Sequence, residues 1–185
     1  MIILIGPSAS GKTEIAKKLI SLFSLKKFVT STTRSKRINE VDGVDYYFLT
    51  KNAFENKIKE NAFIEYTIYN DNYYGSFKSE IGDNKVLIIE PNGLKAFNEF
   101  KSKTDKSFFI KCDEKIREKR MLSRGDNPID IKKRLLNDKN LFNDNLDVDY
   151  VIENDGNSTL EELAKKIYQL YIKDFTEVKQ DTSLK

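Results

Sequence analysis

The chain has 185 residues, 39% hydrophobic and 33% charged, which suits one domain with a core of its own. Its 32 Lys and Arg against 29 Asp and Glu leave a net charge of only +3, which argues against a general nucleic-acid binder. There is no histidine and one cysteine, Cys112. This excludes histidine metal ligation, histidine-based triads and an intramolecular disulfide, and a reducing cytoplasm is the expected setting.

The apolar run Met1 to Ile5 is too short for a signal peptide or a membrane span, so no membrane partner is expected. It leads into Gly6-Pro7-Ser8-Ala9-Ser10-Gly11-Lys12-Thr13, and Ile15, Ala16, Leu19, Ile20 and Phe23 then recur at helical spacing. Strand, glycine-bounded loop and helix in that order fit G-x-x-x-x-G-K-[ST], the P-loop pattern. Successive loop N–H groups and the helix N-terminus make an anion site. Lys12 is then expected to reach the β- and γ-phosphates of a nucleotide, and Thr13 to offer its hydroxyl to Mg²⁺. A plain glycine turn is the weaker alternative.

Phe28 to Ser31 reads as a short strand or strand end. The polar, basic stretch Thr30 to Arg37 cannot bury itself. Arg34 and Arg37, three apart, suit bidentate phosphate contacts, although a solvated charged loop explains them equally well. Asn52 to Glu60 is expected to be helical, Phe63 to Tyr69 a strand interrupted by Glu65, and Asn72 to Ser76 an aromatic turn.

Val86-Leu87-Ile88-Ile89 reads as a fully buried parallel strand. Glu90, at its carboxyl end, is placed either to hold Mg²⁺ or to stay a solvated acid. A helix over Leu94 to Phe100 and a strand over Ser107 to Cys112 follow. Asp113 then caps a helix carrying Arg117, Arg120 and Arg124, and Asn127-Pro128 starts another from about Ile129 to Leu141, carrying Arg134. The pair reads as a hinged flap or as two ordinary surface helices. Asp149 to Ile152 is a last short strand, Ser158 is expected to cap a final helix, and Thr176 to Lys185 is expected to fray. Strands alternating with helices imply an α/β fold with a parallel central sheet.

Taken together, the P-loop, Ser31-Thr32-Thr33-Arg34 with Arg37, Glu40-Val41-Asp42-Gly43 with Tyr46, and Phe63-Ile64-Glu65 match one family in order and spacing. Asn72 to Ser76, Arg120 with Arg124-Gly125, Arg134-Leu135, and Asp149 to Val151 with Asn154-Asp155 continue the match to about residue 172. The chain resembles guanylate kinase, which phosphorylates GMP from ATP in purine nucleotide metabolism.

The resemblance implies a three-layer α/β/α P-loop core over 1–29, 81–114 and 146–175. It also implies a small mixed α/β GMP-binding insertion over 30–80, a helical lid over 115–145 and a disordered tail over 176–185. It assigns the GMP phosphate to Arg34, Arg37, Tyr46 and Tyr74, and guanine to Thr30, Glu65 and Ser76, with Glu40 and Gly75 in the same site. ATP falls to residues Gly6 to Thr13 and Asn154, and Mg²⁺ to Thr13 and Glu90. Lys12, Arg34, Arg120, Arg124 and Arg134 act in catalysis. The implied partners are ATP and GMP or dGMP, with no nucleic acid or membrane, and a monomer or homodimer.

The chemistry is compatible with this. A carboxylate at Glu65 can accept both Watson–Crick donors of guanine, and adenine would leave it unsatisfied. Phosphoryl transfer rests on positioning and charge, so the lack of histidine is no obstacle. Two departures from the family stand out. Ala9 replaces a usual glycine and is strained if its φ is positive. The D-x-D expected at the end of the buried strand is Ile88 and Glu90, so weaker GMP binding is expected. A phosphopeptide-binding module of the same fold, or a kinase for another monophosphate, are the rival readings.

Overall fold

Every residue of Ile2–Ile5 (β1) is buried, because side chains on both of its faces meet other layers. Ile2 and Leu4 pack with Ile15 and Leu19 of Lys12–Phe23 (α1) and with Leu163 and Ile167 of Leu160–Thr182 (α6). Met1, Ile3 and Ile5 face the other way, toward Leu94 and Phe97 of Pro91–Asn98 (α3). A fully buried branched side chain contributes on the order of 1.5–3 kcal/mol, so this central strand anchors the molecule. The computed structural model describes residues 1–69, 71–142 and 146–182.

Around β1 lie Lys26–Lys27 (β2), Lys85–Ile88 (β7), Lys106–Lys111 (β8) and Tyr150–Glu153 (β9), in the order β2-β7-β1-β8-β9, all parallel. Helices on both faces complete the three-layer α/β/α core. The carboxyl ends of β1 and β7 open toward one cleft, where ligands of such sheets are usually found.

A second, four-stranded mixed sheet has the order β4-β3-β6-β5 and is formed by Ser31–Thr32 (β3), Tyr47–Phe48 (β4), Phe63–Tyr69 (β5) and Asn72–Phe77 (β6). Lys51–Lys59 (α2) closes it, with the Thr50 hydroxyl accepting from the Ala53 N–H. Phe54 of α2 stacks on Phe63 (4.4 Å) and Tyr73 (5.0 Å), and Phe63 stacks on Phe77 (4.6 Å). Gly75 has no alternative beside these rings, since a Cβ there would stand 2.9 Å from Phe54. The β5–β6 register slips between Phe63 and Glu65. The slip lets consecutive Phe63 and Ile64 both be buried and turns Glu65 into the cleft. Two further helices, Glu114–Ser123 (α4) and Pro128–Leu141 (α5), pack on each other beside the P-loop.

Five expectations need correction. Phe28 to Thr30 joins β2 to β3 rather than forming a strand. Asn72 to Ser76 is a strand, because β3 and β5 pair with it on both sides. The third helix begins at Pro91, where a fixed φ and a missing N–H suit the first helical position, and Glu90 is its N-cap. Thr159, not Ser158, caps the final helix: its hydroxyl accepts from the Glu162 N–H (3.2 Å), and the Glu162 carboxylate accepts from the Thr159 N–H (2.7 Å). That helix continues to Thr182 through the stretch expected to fray, and residues 183–185 lie outside the described ones.

Candidate active site

The P-loop wraps the end of β1. A Cβ on Gly6 would stand 2.6 Å from the Ile110 carbonyl, and one on Gly11 2.4 Å from the Asn154 side chain, so both glycines are set by close approach. Ala9 takes φ +60, the left-handed region, so it carries the strain that the substitution for glycine implied. Lys12 reaches over the loop to the carbonyls of Gly6 and Pro7 (2.9 Å to Pro7). Burial pulls its ammonium down to about 8. The nearby carboxylates of Asp138 and Glu90 oppose that fall, and Arg117 adds to it. Thr13 is exposed on the first turn of α1.

A cleft of about 710 Å³ lies between the two sheets. Gly6, Ser8 and Lys12 line one side, and Thr30, Tyr46, Glu65, Tyr74, Gly75 and Ser76 line the other. Ile88 and Glu90 form its floor at the end of β7. The Ser76 hydroxyl donates to Glu65 Oε1 at 2.6 Å. Burial pushes the Glu65 carboxyl above its ordinary range, Ser76 opposes the rise, and the Glu90 charge adds to it. Lys12, Tyr46 and Tyr74, expected at phosphates, and Thr30, Glu65 and Ser76, expected at the base, thus line one cavity, whereas Thr13, Asn154 and the five arginines expected at the site are not among its lining residues.

The basic loop and the basic helices stand beside this cleft, already paired. Arg34 forks onto Glu40 (2.7 and 3.0 Å) and lies over the Tyr46 ring at 5.5 Å. The Arg34 hydrogen bonds, joined by the Arg37 N–H, pull the Glu40 carboxyl down to about 2. Arg37 is exposed, its backbone N–H donating to Glu40 (2.8 Å). Arg124 and Arg134 converge on Asp126 at 2.6 and 2.9 Å. Arg120 lies closer in, donating to the Ala9 carbonyl (3.2 Å) and to Asn154 Oδ1 (3.1 Å). Asn154 is buried and donates to the Ser10 carbonyl at 2.7 Å, which fastens the P-loop to the end of β9.

Sequence reasoning missed two charged residues. Arg117 and Asp138 are 5% and 6% exposed and pair at 2.7 Å, with Asp138 lining the cleft. A signal existed. Asp138 falls on the i, i+4, i+7 stripe with Ile131 and Leu135, the buried face of α5.

The guanylate kinase family model matches residues 1–171. The guanylate kinase of Rickettsia felis is 33% identical over 180 residues, covering 93% of this chain and 92% of that protein. That of Mycoplasma genitalium is 37% identical over 181 residues, covering 92% of this chain and 75% of its own length. The crystal structure of guanylate kinase from Anaplasma phagocytophilum superposes with a TM-score of 0.66 at 26% identity, covering 92% of this chain and 82% of that one. Strand order, P-loop and cleft agree with a match that runs almost the whole length, and the chain belongs to the guanylate kinase family.

Proposed function

We propose that the chain transfers the γ-phosphoryl group of ATP to GMP, and to dGMP, giving ADP and the nucleoside diphosphate. The observation that carries this is the single cleft with the Lys12 ammonium on one wall and the Glu65–Ser76 pair on the other. ATP's phosphates lie in the loop Gly6 to Thr13, with Lys12 exchanging its own loop carbonyls for phosphate oxygens. Glu65 accepts from guanine's two adjacent donors, and the hydroxyls of Ser76 and Thr30 serve its carbonyl. Arg34, Arg37, Tyr46 and Tyr74 hold the GMP phosphate, with Glu40 orienting Arg34. An oxygen of that phosphate then attacks the γ-phosphorus as the bond to the β,γ-bridging oxygen breaks. No side chain needs to act as a base, because catalysis here is alignment and charge neutralisation.

The residues present fit Mg²⁺. The exposed carboxylate of Glu90 is a hard oxygen donor in the cleft lining, and the exposed hydroxyl of Thr13 is another, next in the chain to the cleft-lining Lys12. Among the described residues no cluster of three or more His, Cys, Asp or Glu forms a cage, as suits an ion that keeps water and phosphate ligands. When bound with ATP it neutralises phosphate charge. We assign residues 30–80 to GMP and 115–145 to a lid that brings Arg120, Arg124 and Arg134 over the transferring group and excludes water. No helix among the described residues is long and apolar enough to cross a membrane.

The test is a coupled ADP-release assay with ATP, Mg²⁺ and, in turn, GMP, dGMP, AMP, UMP and CMP. Turnover confined to GMP and dGMP is expected. GMP binding without turnover would favour an interaction module, and turnover with a pyrimidine would reassign Glu65.

A further inference from the structure

Asp138 is buried on the inner face of α5 and takes no part in the reaction above. Its Oδ2 accepts from the Ser8 backbone N–H (3.0 Å) and from Arg117 Nη1 (2.7 Å), and its Oδ1 from the Ser8 hydroxyl (3.3 Å). Arg117 also donates to the Ser8 carbonyl (3.4 Å) and to the Cys112 carbonyl (3.3 Å). One residue on, the Ala9 carbonyl takes Arg120, and the Ala9 side chain packs on the small cluster of Met121, Ile131 and Leu135. Ala9 itself is the left-handed residue of the loop. These contacts of α4 and α5 with the P-loop fall on Ser8 and on Ala9, the residue in the left-handed region.

A buried ion pair is weak evidence for stability, since well-packed apolar residues in its place often do as well or better. This pair has a third member that apolar residues could not serve, the Ser8 N–H. We propose that the Arg117–Asp138 pair is a positioning device for the P-loop. It holds Ser8 and Ala9 in the left-handed turn that presents the loop to ATP, and it makes that turn and the α4–α5 pair one unit. Without the Asp138 acceptor the Ser8 N–H loses its partner, and Ala9 is free to relax toward the right-handed backbone its Cβ prefers. Gly at position 9 would not need the device.

The proposal rests on the ATP reading of the loop, and the experiment separates the two. KM for ATP and for GMP are measured apart, each with the other substrate saturating, together with Tm. D138A is expected to lower Tm and to raise the ATP KM about tenfold, the effect of orphaning one polar group, with the GMP KM unchanged. In R117L/D138L both charges are gone, so Tm is expected to return toward that of the parent while the ATP KM stays high. Adding A9G to that variant should bring the ATP KM back down. A parental ATP KM in R117L/D138L, equal rises in both KM values, or no rescue by A9G overturns the positioning role. Absence of any GMP-dependent turnover in the parent protein would remove the ATP reading itself.

Discussion

Glu65 is half-buried and shares a short hydrogen bond with Ser76, yet its carboxyl sits above the ordinary range because burial and the Glu90 charge outweigh that bond. For an acid so raised, the ionised form is the costly one in the empty cleft. Guanine's donors need that form. At pH near or below the raised pKa, GMP binding should therefore release protons, and the GMP KM should climb as pH falls through that pKa, by up to about tenfold per unit below it, through this group alone. Titration calorimetry in buffers of different ionisation enthalpy reads the release directly. An uptake of protons instead would contradict the assignment. E65Q keeps the shape but replaces one acceptor with a donor. Its GMP KM should rise roughly ten- to a hundredfold with the ATP KM unmoved, and equal losses for both nucleotides would contradict the role. Ile88, 37% exposed in the cleft floor, offers GMP only an apolar surface, so I88D should lower the GMP KM.

At the scale of elements, Asp149 holds the approach to β9 against the start of β8. It accepts from the Ser107 N–H (2.7 Å) and hydroxyl (2.6 Å) and from Lys101 (2.5 Å). Burial tends to raise its carboxyl, but these donors win and hold it below the usual range. A depressed carboxyl contributes stability above its unfolded pKa and loses it as pH falls through the folded one. D149A should cost about 1–3 kcal/mol, a fall in Tm of roughly 2–12 °C for a chain of this size, and D149N should flatten the acid limb of a melting curve. β7 and β1 are legible in sequence because continuous apolar runs admit few other places. β6 is not. Its Tyr-Tyr-Gly-Ser has the composition of a turn, and only pairing with the preceding β5 and with β3, remote in sequence, makes it a strand. The P-loop and Glu65 could be read from contiguous letters. Arg117 and Asp138 needed more than contiguous letters: the stripe with Ile131 and Leu135 puts Asp138 on the buried face of α5, but the partner that makes it an ion pair lies on another helix, α4.

At the scale of the whole molecule, four arginines of the basic loop and helices are held on the chain's own oxygens: Arg34 on Glu40, Arg124 and Arg134 on Asp126, Arg120 on Asn154. The Asp126 pairs, whose arginines are exposed, are weak and salt-screened, so phosphates can take these two guanidinium groups over at small cost, whereas Arg34 and Arg120 are held in less exposed contacts. D126N should free the two outer arginines and lower the ATP KM about two- to threefold, and a rise would show that Asp126 instead poises them for the phosphates. The P-loop depends on the far end of the chain. Asn154 supplies the donor for the Ser10 carbonyl across 144 residues and fills the space that Gly11 leaves open. A ribosome therefore delivers the phosphate-binding letters within the first thirteen residues, but their fastening arrives only when β9 emerges. A chain truncated before Asn154 would carry the whole motif and lack the fastening that completes the loop.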